Sequence, residues 1–284
     1  MKTLTIKTKK TLSNMVYHLF MIILSVTMVY PFIWSGASSF KKIEQLYTGS
    51  PLSLLPNPFT LENYHRLFEV LPFGRFTLNS LFLSVCIPIA MIAVASLSAY
   101  ALTRLEFPGR NIIFIGFIAT MMIPSHVVLI PNYRTIVDMH LYNTFFALFL
   151  TSMFTSSNAF NIFFFRQFFL TIPKDLESAA IIDGCSYFTI FFRIILPNSQ
   201  PALATTAILS FRTVWNQFLW PMIVINDYNK MTLTVGLKYL KEWEQNWAVL
   251  LSGASLSIIP IVIVFLIFQK QFMSTTLSSG FGGR

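Results

Sequence analysis

Apolar residues dominate six stretches of the chain, at about 14–36, 77–103, 112–132, 144–165, 199–223 and 248–269. Five of them hold no Asp, Glu, Lys or Arg, and the fifth in order is interrupted only by Arg212. A run of about 20 such residues carries a helix across the hydrocarbon layer of a bilayer. The pattern therefore predicts an all-α membrane protein with six transmembrane helices. Apart from Arg212, charged residues fall in the termini and in the connections, among them two longer segments, about 37–76 and 224–247, each mixing acids and bases. The first run passes into the polar "WSGASS" of Trp34–Ser39 and shows no A-x-A site, so it reads as a retained anchor and not a signal peptide. Pro88, Pro124 and Pro260 fall inside predicted spans. Each frees a backbone carbonyl, which suits either a packed kink or a bend that changes during function.

Composition sharpens the class. Charged residues make up 11% of the chain against roughly a quarter in soluble domains, and there are 30 Phe. Cys86 and Cys185 form neither a disulfide framework nor a metal-binding spacing. The net charge of +9 comes from bases at the ends of apolar runs, a pattern that sets membrane orientation rather than nucleic-acid binding. Lys2, Lys7, Lys9 and Lys10 precede the first run. With that end in the cytoplasm, Arg104, Arg110, Arg166, Lys174, Arg193, Lys270 and Arg284 fall on the same side, in short segments. Both termini are expected to be cytoplasmic, with 37–76 and 224–247 outside.

Several functions lose support at this point. A secondary transporter would place ionisable coupling groups at the bilayer midplane, and the spans contain no Asp or Glu. A membrane enzyme needs a nucleophile, acid or metal cluster. His18, His126 and His140 have no acidic partners at ligand spacing, and read as capped or interfacial. A channel is not excluded by composition.

Charge and small residues gather instead in "LESAAIIDGCSYFTIFFRIILP", Leu176–Pro197, on the expected cytoplasmic side. Thr171 and Pro173 mark a helix start, and Asp175 and Glu177 sit in the first turn, where they favour the helix dipole. Leu176, Ala179, Ala180 and Asp183 share one face. Gly184 fits the left-handed position that closes a helix, and Ser186 can cap a second one. That second helix carries Phe188, Phe191, Phe192 and Ile195 on one side and stops at Pro197. Two short helices meeting at a Gly turn form either a docking surface for another protein or an amphipathic connector in the interface.

This stretch resembles the E-A-A-x3-G-x9-I-x-L-P loop of ABC importer membrane subunits, with Ala179, Ala180, Gly184, Ile194, Leu196 and Pro197 at matching offsets. The resemblance extends to Asn79–Ser80, "FFFRQFFLTIPKDLE", "WNQFLWP" at Trp215–Pro221 and "FQKQF", over roughly 76–270. The chain is similar to the smaller six-span permease of maltose-type transporters in the carbohydrate-uptake branch. That likeness implies a type I importer permease fold, with residues 1–75 as N-terminal tail, first helix and outer loop. It implies a permease core at 76–270 with a coupling loop at 167–198, and a cytoplasmic tail at 271–284. It also implies residence in a bacterial cytoplasmic membrane beside a second homologous permease subunit, two ATP-binding cassette subunits and an extracellular solute-binding protein. The cargo would be a sugar or oligosaccharide, with glycerol phosphate or another polyol as the alternative.

In such proteins the loop docks into a cleft of the ATPase, which would give Glu177, Ser178, Ala179, Ala180, Asp183, Gly184 and Pro197 a coupling role. Ser178 stands where the motif has Glu, so an ion pair to the ATPase would have to shift to Glu177 or be replaced by a hydroxyl hydrogen bond. The C-terminal "SSGFGGR" keeps Gly280 but not the Lys of the family's tail motif. ATP and magnesium would reside on the partner subunits, since the chain has no G-x-x-x-x-G-K-[ST] loop and binds no cofactor of its own. Sugars are recognised by aromatic faces and amides. Asn79, Asn158, Asn161, Arg212, Trp215, Asn216 and Phe218 are accordingly the candidates for the substrate path, and Trp220 reads as an interface-belt residue.

Overall fold

The computed structural model describes residues 2–50 and 53–281, with side chains for 14–50, 53–156 and 158–269. Among them every regular element is helical. The tail at 271–284 lies outside the described side chains, as do Lys2, Lys7, Lys9, Lys10 and Lys270, and Arg284 lies outside the described residues. The chain divides into two compact units: residues up to Pro72 with Tyr239–Ile258, and Phe73–Lys238 with the residues from Ile259.

The first unit contains α1 (Lys2–Ser38), α2 (Ile43–Thr48) and α3 (Glu62–Val70). The apolar helix at Asn14–Ser38 of α1 is exposed as far as Ile33, apart from the half-buried Tyr30, as expected of a helix that meets lipid or a partner, and becomes buried only at Ser38. Beyond it the chain is tied down by polar contacts. The buried Asn63 donates from Nδ2 to the carbonyls of Ser39 and Lys41, both at 2.8 Å. Arg66 Nε bonds the Glu244 carboxylate at 3.0 Å. Burial pushes the Glu244 carboxyl up, but the Asn246 backbone N–H and Arg66 together hold it below the usual range.

The second unit is organised around α4 (Phe73–Arg104), a 32-residue helix with Pro88 inside it and no break there. Around it follow α5 (Arg110–Met121), α6 (Leu129–Asp138), α7 (Phe145–Phe154) and α8 (Ser156–Leu170). Next come α9 (Asp175–Ile182), α10 (Tyr187–Ile190), α11 (Gln200–Trp215) and α12 (Leu219–Val224). The last two, α13 (Leu233–Trp243) and α14 (Trp247–Phe281), run on across the division between the units. Towards the end of α4, Ala95 and Ala99 make room for Phe165, Phe169 and Phe191, all buried in one cluster with Ile195 and Ala202. Small residues on one helix let large rings on its neighbours come close, which recovers dispersion energy that lipid tails would otherwise supply. Leu83, Ile87 and Met91, nearer the start of α4, pack with Ile136, Leu148 and Val224.

Three helices are long and apolar enough to cross a membrane, at Asn14–Ser38, Phe73–Arg104 and Trp247–Gln269, or four if the α7–α8 pair counts as one span. Every predicted run contains helix, but the pattern overestimates continuity in three. The third run is α5 and α6 separated by residues 122–128, where Pro124 has no N–H to continue the ladder. The fourth bends by 45° between α7 and α8. The fifth breaks at Asn216–Phe218, where the Asn216 amide folds back onto the Arg212 carbonyl at 2.9 Å. Apolar composition records burial in lipid and is blind to such local hydrogen-bond substitutions.

Packing near the start of α13 is tight enough to test. A Cβ built on Gly236 would lie 2.2 Å from Phe76 Cδ2 and 2.7 Å from Cε2. Phe76 is 0% exposed and its ring meets Tyr228 edge-on, so it cannot swing away. Helix propensity favours Ala over Gly by about 1 kcal/mol, whereas overpacking costs about 1–3 kcal/mol. Gly236→Ala is therefore expected to lower the thermal unfolding midpoint of the purified protein. An unchanged or raised midpoint would show that this helix is free to move off α4.

Candidate coupling site and transport path

Helix α9 follows Pro173, with Asp175 and Glu177 in its first turn. Thr171 does not start it; its hydroxyl donates to the Phe168 carbonyl and closes α8. At the other end Gly184 takes φ +78°. Its N–H bonds the Ile181 carbonyl at 3.0 Å, and the Cys185 N–H bonds the Ala180 carbonyl at 2.9 Å. This pair is the Schellman closure, which needs a residue free of the Cβ penalty at the left-handed position. Ser186 then accepts the Thr189 N–H, and α10 begins. A turn of π-helix follows at Phe191–Ile195, with the Leu196 N–H on the Phe191 carbonyl at 2.8 Å. Pro197 has no N–H to offer the preceding turn. The side chains of Asn198 and Ser199 instead donate to the carbonyls of Ile194 and Ile195, at 2.7 and 2.6 Å.

The faces of this hairpin divide differently from the sequence pattern. Ala180 is buried, while Leu176, Ala179 and Asp183 are exposed. Phe191 and Ile195 point into the core, while Phe188 and Phe192 are exposed. The wide π turn resets the helical register, so the four residues cannot share one side. What remains outside is an apolar surface led by Ile182, 85% exposed, and Phe188, 71% exposed.

Glu177 belongs to the inner face. It is 8% exposed, and its Oε1 lies 2.6 Å from Nε of Arg104, the last residue of α4. Arg104 also donates from Nη2 to the carbonyls of Phe169 and Ile172, at 2.8 and 2.7 Å. One guanidinium thus ties the end of α4 to the end of α8 and to α9. Burial pushes the Glu177 carboxyl up, and the charges of Arg104 and then Lys174 pull against it. The expectation that Glu177 would face a partner in place of Ser178 does not match this geometry: Glu177 is spent inside the chain. Ser178 is exposed and donates to the Lys174 carbonyl at 3.2 Å, leaving its oxygen lone pairs outward.

The path candidates scatter. Asn79 donates from Nδ2 to the carbonyls of Asn229 and Met231, both at 2.9 Å, and so pins a surface turn to α4. Asn158 and Asn161 are buried and satisfied, by the Met153 carbonyl at 3.1 Å, by each other at 3.0 Å and by Ser210 at 3.2 Å. Trp215 is buried against Phe211, with ring centres 5.8 Å apart. Arg212 lies exposed on α11 and Asn216 just past its end, and the Arg212 guanidinium has no hydrogen-bond or ion-pair partner among the described residues. Phe218, in the break before α12, lines a cavity together with His126, Asn132, Gln217 and Trp220. Those four were not among the candidates, and the signal that reaches them is the helix-breaking Pro124 and Asn216–Gln217 inside otherwise apolar runs.

A buried pair that has lost one partner leaves a stranded charge, which costs about 3–5 kcal/mol, whereas replacing both partners by apolar residues is close to neutral. Arg104→Leu alone is expected to lower stability by that order, and Arg104→Leu with Glu177→Leu to recover most of it. Unfolding of both variants in detergent reads this directly; equal losses would mean the pair does not organise the hairpin.

Residues 91–275 match the family described as binding-protein-dependent transport system inner membrane component. The chain is 34% identical to an arabinooligosaccharides transport system permease protein, AraQ, of Halalkalibacterium halodurans, over 90% of this chain and 91% of that one. It is 31% identical to the sn-glycerol-3-phosphate transport system permease protein UgpE of Brucella abortus, over 93% of this chain and 96% of that one. Its fold matches a chain from the crystal structure of a bacterial ABC transporter involved in the import of the acidic polysaccharide alginate. The TM-score is 0.82 at 25% identity, over 91% of this chain and 96% of that one. The Gly184 hairpin and the broken apolar helices thus stand in a chain that belongs to the inner-membrane components of binding-protein-dependent transport systems, as the permease of an ABC importer and not its ATPase.

Proposed function

We propose that the chain lines one half of the translocation path for a sugar or oligosaccharide, and that α9 and α10 receive the work of ATP hydrolysis from a cassette subunit. The hairpin's outward apolar surface, held to α4 and α8 by the Arg104–Glu177 pair, is the observation that carries the reading. Such a surface is large for a polar face and suits a cleft on another protein. When two cassettes close on ATP, a hairpin seated in one of them moves with it, and the buried pair passes that motion to two core helices. Ala179, Asp183 and Gly184 lie on the seated side with Ser178, and Glu177 and Ala180 hold the hairpin from behind. Pro197 ends the hairpin before α11.

The broken runs count as spans in this reading, so that six cross the bilayer with both ends cytoplasmic, within a core at 76–270. ATP and magnesium are bound by the cassette partners, and a second permease completes the path. Cargo comes from an extracellular solute-binding protein, which meets the 224–247 segment with its mixture of Lys238, Lys241, Glu242 and Glu244. A sugar cargo is supported by the arabinooligosaccharide permease among the relatives. A glycerol-phosphate relative, together with the unpaired Arg212, favours an anionic cargo as the second reading.

Gly184→Val tests the coupling. A Cβ there would meet nothing within 4 Å, so the penalty is purely that of the left-handed backbone, about 1 kcal/mol or more. The variant should insert normally, co-purify poorly with the ATPase and lose cargo-stimulated ATP hydrolysis. Wild-type docking and coupling would reduce the hairpin to a surface connector.

A lone Arg in hydrocarbon is unfavourable by at least ~2.5 kcal/mol on insertion scales, so Arg212 meets either cargo or the second permease in the assembled importer. Arg212→Gln should selectively weaken uptake of charged sugars if it serves an anionic cargo. Equal loss for charged and neutral sugars would assign it to assembly.

A further inference from the structure

Three breaks in membrane helices open onto one cavity of about 280 Å³: the 122–128 segment, the α7–α8 bend at Thr155 and the Asn216–Phe218 turn. Backbone that leaves the helix at membrane depth has to be covered by protein or face water. Each break also loosens hydrogen-bonding groups. The helices α6, α8 and α12 begin here without a side-chain cap, which frees N–H groups, and the last turn of α7 brings free carbonyls. The side chains repeat this balance. His126, Asn132, Ser152, Ser156 and Gln217 line the cavity, and among the described residues the last four make no side-chain hydrogen bond. His126 has only its neighbour Ser125, at 3.3 Å. The contrast within the same unit is sharp: Asn158, Asn161 and Ser210, a few residues away in sequence, bond one another. Polar groups that served only helix packing would be paired in that way. Trp220 and Phe218 add aromatic surface to the lining, and the Trp220 Nε1 is a buried donor without a partner.

We infer that this cavity is a binding subsite for one uncharged sugar ring on its way through the membrane. The inference rests on the proposed sugar path and assigns it a location in this chain. Hydroxyl groups both donate and accept, which uses loose N–H and loose C=O groups together, as amides and imidazole do. A phosphate or carboxylate could use only the donors, and no Lys, Arg, Asp or Glu lines the cavity to balance its charge. Its volume of about 280 Å³ lies just below the ~300–1,000 Å³ typical of ligand sites, so it holds one ring at a time and not an extended oligomer. Arg212 is not among its lining residues, which separates this subsite from any contact Arg212 makes with an anion.

The test uses the complete importer, with its second permease and ATPases, in proteoliposomes. Ser152→Cys in a Cys86→Ser, Cys185→Ser background places a thiol in the cavity for labelling by a soluble maleimide. The probes are arabinotriose, diacetylchitobiose and maltotriose as neutral sugars, and glycerol 3-phosphate as the anion. At least one neutral sugar that is taken up should slow labelling several-fold, and glycerol 3-phosphate should not. Gln217→Leu should raise the KM for that sugar about ten-fold or more, while Gln217→Asn restores part of the loss; co-purification of the ATPase confirms that both assemble. A neutral sugar that is transported without protecting the thiol and without a response to Gln217→Leu overturns the subsite and leaves the sugar importer standing. Protection by glycerol 3-phosphate alone overturns the uncharged-ligand assignment. Uptake of glycerol 3-phosphate with no uptake of any neutral sugar overturns the sugar path itself.

Discussion

A peptide N–H or C=O left without a partner in hydrocarbon is unfavourable by several kcal/mol, and the architecture of this permease follows from how each one is satisfied. Long helices do it internally, which is why α4 keeps its course past Pro88. Where the ladder fails, side chains substitute: Asn216 on the Arg212 carbonyl, Asn198 and Ser199 behind Pro197, and Asn158 on the Met153 carbonyl at the α7–α8 bend. Several deviations from straight helix thus fall where a polar side chain is within reach, whereas α6, α8 and α12 begin without a side-chain cap.

The same constraint gives Arg104 its role. The carbonyls of Phe169 and Ile172 lie at and just past the end of α8, and the guanidinium adds a donor to each while keeping Nε for Glu177. A Lys could offer charge but not this planar fork of donors. Since the pair is nearly sealed from water, the hairpin cannot be shifted independently of α4 and α8 without exposing an uncompensated charge. The outward surface is different in kind: Ile182 and Phe188 are exposed apolar residues, which the proposed cassette contact would bury. Tight anchoring behind and a loose apolar face in front suit a part that must be gripped and moved.

How much of this the sequence discloses depends on range. The Gly184 turn, the Ser186 cap and the apolar runs are local, and the residues that make them are consecutive. The Arg104–Glu177 pair joins positions far apart in the chain, and nothing in the local pattern says that Glu177 turns inward while Ser178 turns out. Asn79, Asn158 and Asn161 illustrate the converse. An amide in an apolar run has the same appearance whether it lines a path or closes a packing contact, and only the identity of its distant partner decides. The breaks in the third and fifth runs were written in Pro124 and Asn216, but hydropathy averages over them.

The two ends of the second unit solve opposite problems with the same materials. Near the hairpin, Ala95 and Ala99 accept Phe165, Phe169 and Phe191 closely; among the described buried polar atoms there, the Tyr100 hydroxyl and the Arg166 Nε lack a hydrogen bond, and Arg104 Nε and Glu177 Oε1 meet each other as an ion pair. A close-packed region of this kind has no soft direction, and it moves as a body when the hairpin is displaced. At the helix breaks the groups are polar, unpaired and spread over three elements that are each joined by only a few residues of irregular chain. Displacing the rigid end alters the relative positions of those short segments without breaking any hydrogen bond among their side chains, because His126, Asn132 and Gln217 make none with one another. In the proposed subsite, groups that make no bonds with one another would hold a hydroxylated ring in one arrangement and release it in another, so the lack of internal pairing would let a hairpin movement change the affinity.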